Sequence, residues 1–233
     1  MILGDRCTRN CSFCAVDSSK PLPPDPGEPA RVAEAVSDLG LDFVVITSVT
    51  RDDLPDGGAG QFAATVEAIR KINGSTRIEV LTPDFRGDTE ALRTVLRAAP
   101  DVFNHNVETV PSLYPEVRAM ADYSTSINIL KTAKALYPET RTKSGIMLGL
   151  GESRAEVLSV MRDLREADCD FLTIGQYLRP RRDNIPVAEY ITPEVFGQYR
   201  VTALEMGFRA VAASPLTRSS MDASLMFENC KPY

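Results

Sequence analysis

The sequence predicts an α/β protein built on a parallel sheet, and three observations carry that reading. Short runs rich in β-branched residues alternate about six times with stretches of helical apolar spacing, the pattern of strands joined by right-handed helical crossovers. Some runs, residues 41–47 above all, are apolar at consecutive rather than alternate positions, as strands covered on both faces require. Polar segments, most of them glycine-bearing, follow the strands at 48–60, 82–87, 104–109 and 149–153, where parallel α/β folds carry their chemistry. Periodicity alone leaves a closed barrel, a partial barrel and an open sheet all available.

The elements follow in order. Residues 1–4 are apolar enough to end a short first strand. Residues 29–39 form a helix, with Pro29 in its first turn, Val32, Val36 and Leu39 on one face, and Gly40 at the position after its end. Strands are expected at 41–47, 77–81, 101–107, 143–148, 171–175 and 208–213. Helices fill the intervals at 61–72, 89–98, 126–136 and 193–206, and another opens at Ser153, where Glu156 three residues on completes a capping box. Residues 17–27, with Pro21, Pro23, Pro24 and Pro26, read as loop throughout. No repeat or linker divides the chain, so a single domain over 1–233 is expected, with a tail at 214–233.

Composition narrows the function. Of the 233 residues, 43% are hydrophobic and 25% charged, which supports a packed core and excludes disorder. Lysine and arginine number 26 against 32 acidic residues, a net charge of −6, so no global basic field is available for nucleic acid. Five unevenly spaced cysteines make no disulfide framework. A lone histidine, His105, excludes HExxH zinc sites and two-histidine iron sites, and its expected role is a local hydrogen bond. Charge appears at Asp5, before any signal-peptide core could form, and no apolar run approaches the roughly 18 residues that span a bilayer. A cytoplasmic protein with reduced thiols, and with no membrane or nucleic-acid partner, is the expectation.

The densest chemical signal is Cys7-Thr-Arg-Asn-Cys11-Ser-Phe-Cys14, a C-x3-C-x2-C triplet. Structural zinc wants four ligands, and no fourth cysteine or histidine is near in sequence. A 4Fe–4S cluster also normally takes four thiolates, so three leave one iron open, where a metal centre can do chemistry. The bland alternative is a zinc loop that borrows Cys169, Cys230 or His105; otherwise Cys169 reads as a small core residue and Cys230 as an incidental thiol.

With Phe13 before its last cysteine, the triplet resembles the radical S-adenosylmethionine signature. That resemblance implies a partial (β/α)6 parallel barrel. It also implies a radical-generating 4Fe–4S cluster on Cys7, Cys11 and Cys14, whose open iron is chelated by S-adenosylmethionine. Further blocks resemble lipoyl synthase: MILGDRCT at 1–8, VITSVTRDDLPDGG at 45–58, PDFRG at 83–87, VFNHNVET at 102–109, TKSGIMLGLGE at 142–152, GQYL at 175–178 and RSS at 218–220. They run in family order over essentially the whole chain and are far more specific together than the triplet. The implied activity is insertion of two sulfur atoms, at carbons six and eight, into an octanoyl chain on a lipoyl carrier domain. Implied partners are dehydrogenase E2 subunits, the glycine cleavage H protein, and an electron donor such as ferredoxin or flavodoxin.

Most of these blocks suit a nucleotide-like ligand. Thr47 and Ser48 offer hydroxyls to its methionine part, Asn106 and Glu108 to its ribose or amine, while Gly145, Gly149 and Gly151 allow close backbone approach to the adenine. Departures from the family matter too. Lipoyl synthases carry a C-x4-C-x5-C triplet upstream for an auxiliary 4Fe–4S cluster that is consumed as sulfur source. The 233 residues contain no such triplet, and Met1 aligns inside a longer member. Ser220, the last residue of RSS, corresponds to the auxiliary cluster's alkoxide ligand. Met221 stands where tyrosine often follows, and Arg181-Arg-Asp-Asn184 where histidines are common, differences that bear on the substrate pocket. Two other readings stay open: a different radical sulfurtransferase, and a non-catalytic iron–sulfur or zinc module.

Overall fold

The computed structural model describes residues 1–228, and Cys230 lies outside them. Six parallel strands form one sheet: β1 (Phe43–Thr47), β2 (Arg77–Leu81), β3 (Val102–Asn104), β4 (Arg141–Leu148), β5 (Phe171–Gln176) and β6 (Ala210–Ser214). Their spatial order is β1-β2-β3-β4-β5-β6, the order of the chain, so every connection moves the same way round. A doubly wound sheet would reverse direction at a switch point. The sheet curls instead, enough for Lys143 on β4 to reach Glu79 on β2 at 3.0 Å, and the result is a partial barrel open between β1 and β6.

Helices α1 (Glu28–Asp38), α2 (Ala59–Ile72), α3 (Thr89–Arg97), the short α4 (Tyr114–Val117), α5 (Tyr123–Leu136), α6 (Arg154–Glu166) and α7 (Pro193–Glu205) join the strands. Phe62, Val66 and Ile69 of α2 share one buried core with Ile46, Ile78 and Val80 of the sheet, and each such side chain contributes about 1.5–3 kcal/mol. Helix starts are set by short polar side chains. The Asp88 carboxylate accepts from the backbone of Glu90 and Ala91, Asp122 accepts from Thr125, and Ser153 with Glu156 forms the expected capping box. No helix among the described residues is long and apolar enough to cross a membrane.

Two expectations need correction. Residues 1–4 form no strand, because Leu3 and Gly4 take φ of +66° and +86°; only Ile2 bridges to Ser48. The buried Leu3 side chain then occupies the space a Cβ on Gly58 would fill, which explains a glycine with φ +90° at the start of α2. The third strand stops at Asn104 and not at 107, and the chain turns further on at Glu108, φ +67°. The tail is described through residue 228. It returns along the inner face of the sheet, where Lys143 donates to the Ser219 carbonyl at 2.6 Å, and ends in α8 (Ala223–Glu228). Met226 packs on Val102 and Phe171, and the Phe227 ring lies 6.0 Å from that of Phe43, so α8 plugs the mouth at the strands' amino ends.

Candidate active site at the carboxyl ends of the strands

The cysteine loop hangs on backbone bonds from Cys7 to Asp17 (2.8 Å) and from Cys14 to Cys11 (3.0 Å). Arg9, inside the triplet, anchors it. Its buried guanidinium meets Asp84 after β2 at 2.6 and 2.7 Å and Asp52 after β1 at 2.8 Å. Burial opposes ionisation of Asp84, but the Arg9 hydrogen bonds and charge prevail and hold its carboxyl at about 2.

The thiols of Cys7, Cys11 and Cys14 are half-buried around one hollow of about 210 Å³. Backbone amides of Arg9 and Val16 donate to the Cys7 and Cys14 sulfurs at 3.4 Å. Burial pushes the Cys11 thiol up to about 11, with the neighbouring Cys7 and Cys14 adding to the shift and Arg118 opposing it. Three thiolates crowded in one half-buried hollow need a cationic partner. Among the described residues no three His, Cys, Asp or Glu side chains converge on the position of a single metal ion. Thiols spread around one hollow fit a cluster, which binds each at a separate iron.

A larger cavity of about 510 Å³ adjoins this hollow, and Phe13, Cys14, Thr47, Asn106 and Glu108 border both. Gly145 and Ser220 line the larger cavity, Cys7, Cys11 and Ser48 the smaller one. The Asn106 amide donates to Glu108 at 3.2 Å, and Ser219 donates to Asn106 at 2.9 Å. Burial raises the Glu108 carboxyl, although Arg118 works against it. A Cβ on Gly145 would lie 2.7–2.9 Å from Thr173, Asn106 and Ser219, so only glycine leaves this wall open.

Gly149 is placed elsewhere. It lines neither cavity, and with φ +95° its bare Cα makes room for the Gln176 amide and the Glu189 carbonyl of the chain itself. Ser48 turns its hydroxyl to the Val49 carbonyl at 2.8 Å. Arg181, Asp183 and Asn184 border the outer side of the cysteine loop rather than the large cavity. His105 meets the Thr82 carbonyl at 2.9 Å and the Ser126 hydroxyl at 3.1 Å, and burial lowers it to about 4. Cys169 is fully buried in the core.

Several buried charges at or near the site escape a reading of the sequence. Arg118, buried beside the Tyr114 ring, bonds the Val107 carbonyl at 3.2 Å and borders the cysteine hollow. Lys143 and Glu79 pair at 3.0 Å inside the barrel, and Asn104 donates to the same carboxylate at 2.7 Å. A lysine inside a predicted buried strand was the one available signal.

A parallel partial barrel with a three-cysteine loop at its carboxyl ends defines a class. The profile of the radical SAM superfamily matches residues 1–164, and the chain belongs to that superfamily, which works with a 4Fe–4S cluster and S-adenosylmethionine. The sequence is 59% identical over 225 residues to the lipoyl synthase of Caldanaerobacter subterraneus subsp. tengcongensis, covering 97% of this chain and 79% of that one. It is 54% identical to those of Caldicellulosiruptor saccharolyticus (94% and 77% covered) and Rubrobacter xylanophilus (99% and 72%). The chain belongs to the lipoyl synthase family. Among solved structures, Streptococcus suis SuiB bound to S-adenosylmethionine aligns with a TM-score of 0.72 at 11% identity, covering 91% of this chain and 48% of SuiB. Methylornithine synthase (PylB) aligns at 0.63 and 15%, covering 96% and 75%. At those identities the likeness is one of fold.

Proposed function

We propose that this chain serves the insertion of two sulfur atoms into the octanoyl chain of lipoyl carrier domains, the sulfur drawn from an auxiliary 4Fe–4S cluster, with Cys7, Cys11 and Cys14 holding the radical-generating cluster. The observation that carries the reading is the meeting of these thiols with a cavity walled by Asn106, Glu108, Gly145 and Ser220. When bound, the cluster supplies the electron that splits a carbon–sulfur bond of S-adenosylmethionine into methionine and a 5′-deoxyadenosyl radical. Asn106 and Glu108 bond the ribose or amine, Thr47 and Ser48 the methionine part, Phe13 flanks the ligand, and Gly145 admits the adenine. Apolar Val45, Leu81 and Met147 on the cavity wall keep water from a carbon radical.

Ser220 stands on the cavity wall, which supports its assignment as a ligand of an auxiliary 4Fe–4S cluster. The carriers are dehydrogenase E2 subunits and the glycine cleavage H protein, the electron donor a flavodoxin or ferredoxin, and the compartment the cytoplasm. The whole of 1–233 acts as one domain. Cys11→Ala in the anaerobically reconstituted chain tests the core of this reading. It should lose iron and 5′-deoxyadenosine formation while circular dichroism stays near parental. Cleavage of S-adenosylmethionine at the parental rate would refute it.

A further inference from the structure

After β6 the chain turns back across the inner face of the sheet, and two glycines make room for it. A Cβ on Gly175 of β5 would run into the Thr217 carbonyl. One on Gly145 of β4 would lie 2.8 Å from Asn106 Oδ1 and 2.9 Å from Ser219 Oγ. The turn itself is closed by backbone bonds from Thr217 to Ser214 (3.1 Å) and from Gln176 to Pro215 (3.3 Å). Beyond it the ties are few. Arg218 bonds the neighbouring Thr217 carbonyl, and the Met221 amide the Arg218 carbonyl, so both bonds stay inside the segment. Among the described residues, Ser219 alone joins residues 217–220 to the opposite wall of the barrel. Its carbonyl accepts from Lys143 at 2.6 Å, and its hydroxyl donates to Asn106 Oδ1 at 2.9 Å. Ser220, next in the chain, is exposed on the cavity wall, and its placement follows that of Ser219.

The bond to Asn106 has a fixed direction. A carboxylate only accepts, so the Asn106 amide nitrogen turns to Glu108 at 3.2 Å, and its oxygen is left for the Ser219 hydroxyl. That oxygen has two lone pairs; Ser219 takes one, and the second remains for a donor in the cavity that Asn106 borders. Glu108 is strapped to β4 by its backbone, its amide to the Gly145 carbonyl (3.0 Å) and its carbonyl to the Met147 amide (2.8 Å). The adjustable part of this wall is therefore the Asn106 amide, held between Glu108 and Ser219.

We infer that Ser219 is a positioning residue that couples Asn106 to the placement of Ser220. This rests on the reading that Asn106 and Glu108 hold S-adenosylmethionine and that Ser220 is a ligand of the auxiliary cluster. Before the ligand arrives, Ser219 keeps the Asn106 amide turned the way the ligand needs it, which lowers the ordering cost of binding. Once the ligand engages Asn106 and Glu108, Asn106 is immobilised, Ser219 with it, and Ser220 is held at one place on the wall. Linkage makes the effect mutual: what the ligand gains from Ser219, the segment gains in order from the ligand. One hydrogen bond, for which only a glycine at position 145 leaves room, thus joins the ligand-cleaving side of the cavity to the sulfur-supplying side.

The test uses the reconstituted chain with Ser219→Ala, which removes the donor, and Ser219→Thr, which keeps it. S-adenosylmethionine is the probe; equilibrium dialysis reads its affinity, and amide hydrogen exchange with mass spectrometry reads residues 215–222. In the parental chain, saturating ligand should slow exchange in that segment by about threefold or more. Ser219→Ala should bind the ligand about threefold to tenfold more weakly, the worth of one neutral hydrogen bond, and at saturation its segment should no longer respond. Its iron content and its exchange in β4 and β5 should stay parental, and Ser219→Thr should restore both affinity and response. A merely structural Ser219 would raise exchange with and without ligand alike; a ligand-induced slowing that survives in Ser219→Ala overturns the inference. So does a parental segment indifferent to bound ligand. A parental chain that takes up iron but binds no S-adenosylmethionine refutes the proposed function, and the inference falls with it.

Discussion

Arg9 sits between two of the three triplet cysteines, and its charge faces inward because Asp52 and Asp84 from different loops close around it. Removing one partner of such a buried pair leaves the others uncompensated. Arg9→Met should therefore destabilise the chain by about 3–5 kcal/mol in urea denaturation, and Arg9→Met with Asp84→Asn by clearly less. Gly145→Ala makes a different prediction. Its methyl would press on Asn106, Ser219 and Thr173, so S-adenosylmethionine affinity should fall about tenfold or more while stability falls by only about 1–3 kcal/mol. Equilibrium dialysis with labelled ligand measures the first and urea the second.

Acid sensitivity also belongs to single residues. Burial lowers His105 to about 4, so the unfolded chain binds its proton more tightly than the folded one. The stability that neutral His105 lends is present above its ordinary value near 6.5 and is lost as pH falls toward 4, a loss of about 3 kcal/mol. Asp84, held at about 2 by Arg9, contributes stability above its ordinary value of 3.8 that disappears between there and pH 2. Urea midpoints of the metal-free chain should fall below about pH 6.5, and His105→Asn should flatten the first part of the slope. An unchanged slope in that variant would assign the acid loss to other groups.

At the scale of elements, the caps were legible and the plug was not. Ser153 and Glu156 declare a helix start because their chemistry is local, three residues apart. Ser153→Ala should cost about 1 kcal/mol. Helix α8 has six described residues, too few for a periodic signal, and its worth comes from what Met226 touches across the barrel mouth. Met226→Ala should cost about 2–5 kcal/mol by denaturant midpoint, more than the cap, although nothing in the sequence ranks it so.

Across the whole molecule, strand–helix alternation was enough for the parallel sheet, since each period reflects which faces a segment buries. It did not decide closure. That depends on the return of residues 215–222 along the inner face and on Lys143, whose ammonium joins Glu79 at 3.0 Å to the Ser219 carbonyl at 2.6 Å. Lys143→Met should unfold or strongly destabilise the chain, by about 3–5 kcal/mol, whereas Lys143→Met with Glu79→Gln should recover most of that loss. Thermal melts of the two variants side by side check the difference.

The sequence by itself determined the class of fold, the cysteine triplet and the family blocks, because these are written in short-range spacing and in residue types with one dominant chemistry. Cys7, Cys11 and Cys14 lie within eight positions, and no tertiary rearrangement could scatter them far. Only the tertiary structure decided that Gly145 opens onto the large cavity while Gly149 makes room for Gln176 and Glu189, although both are glycines of one block. It also decided that Arg118, Arg9 and Lys143 are buried charges, and that Arg181, Asp183 and Asn184 border the outer side of the cysteine loop. The reason is that burial, pairing and cavity shape depend on contacts between segments tens of residues apart, and local spacing carries no record of which distant segment will arrive.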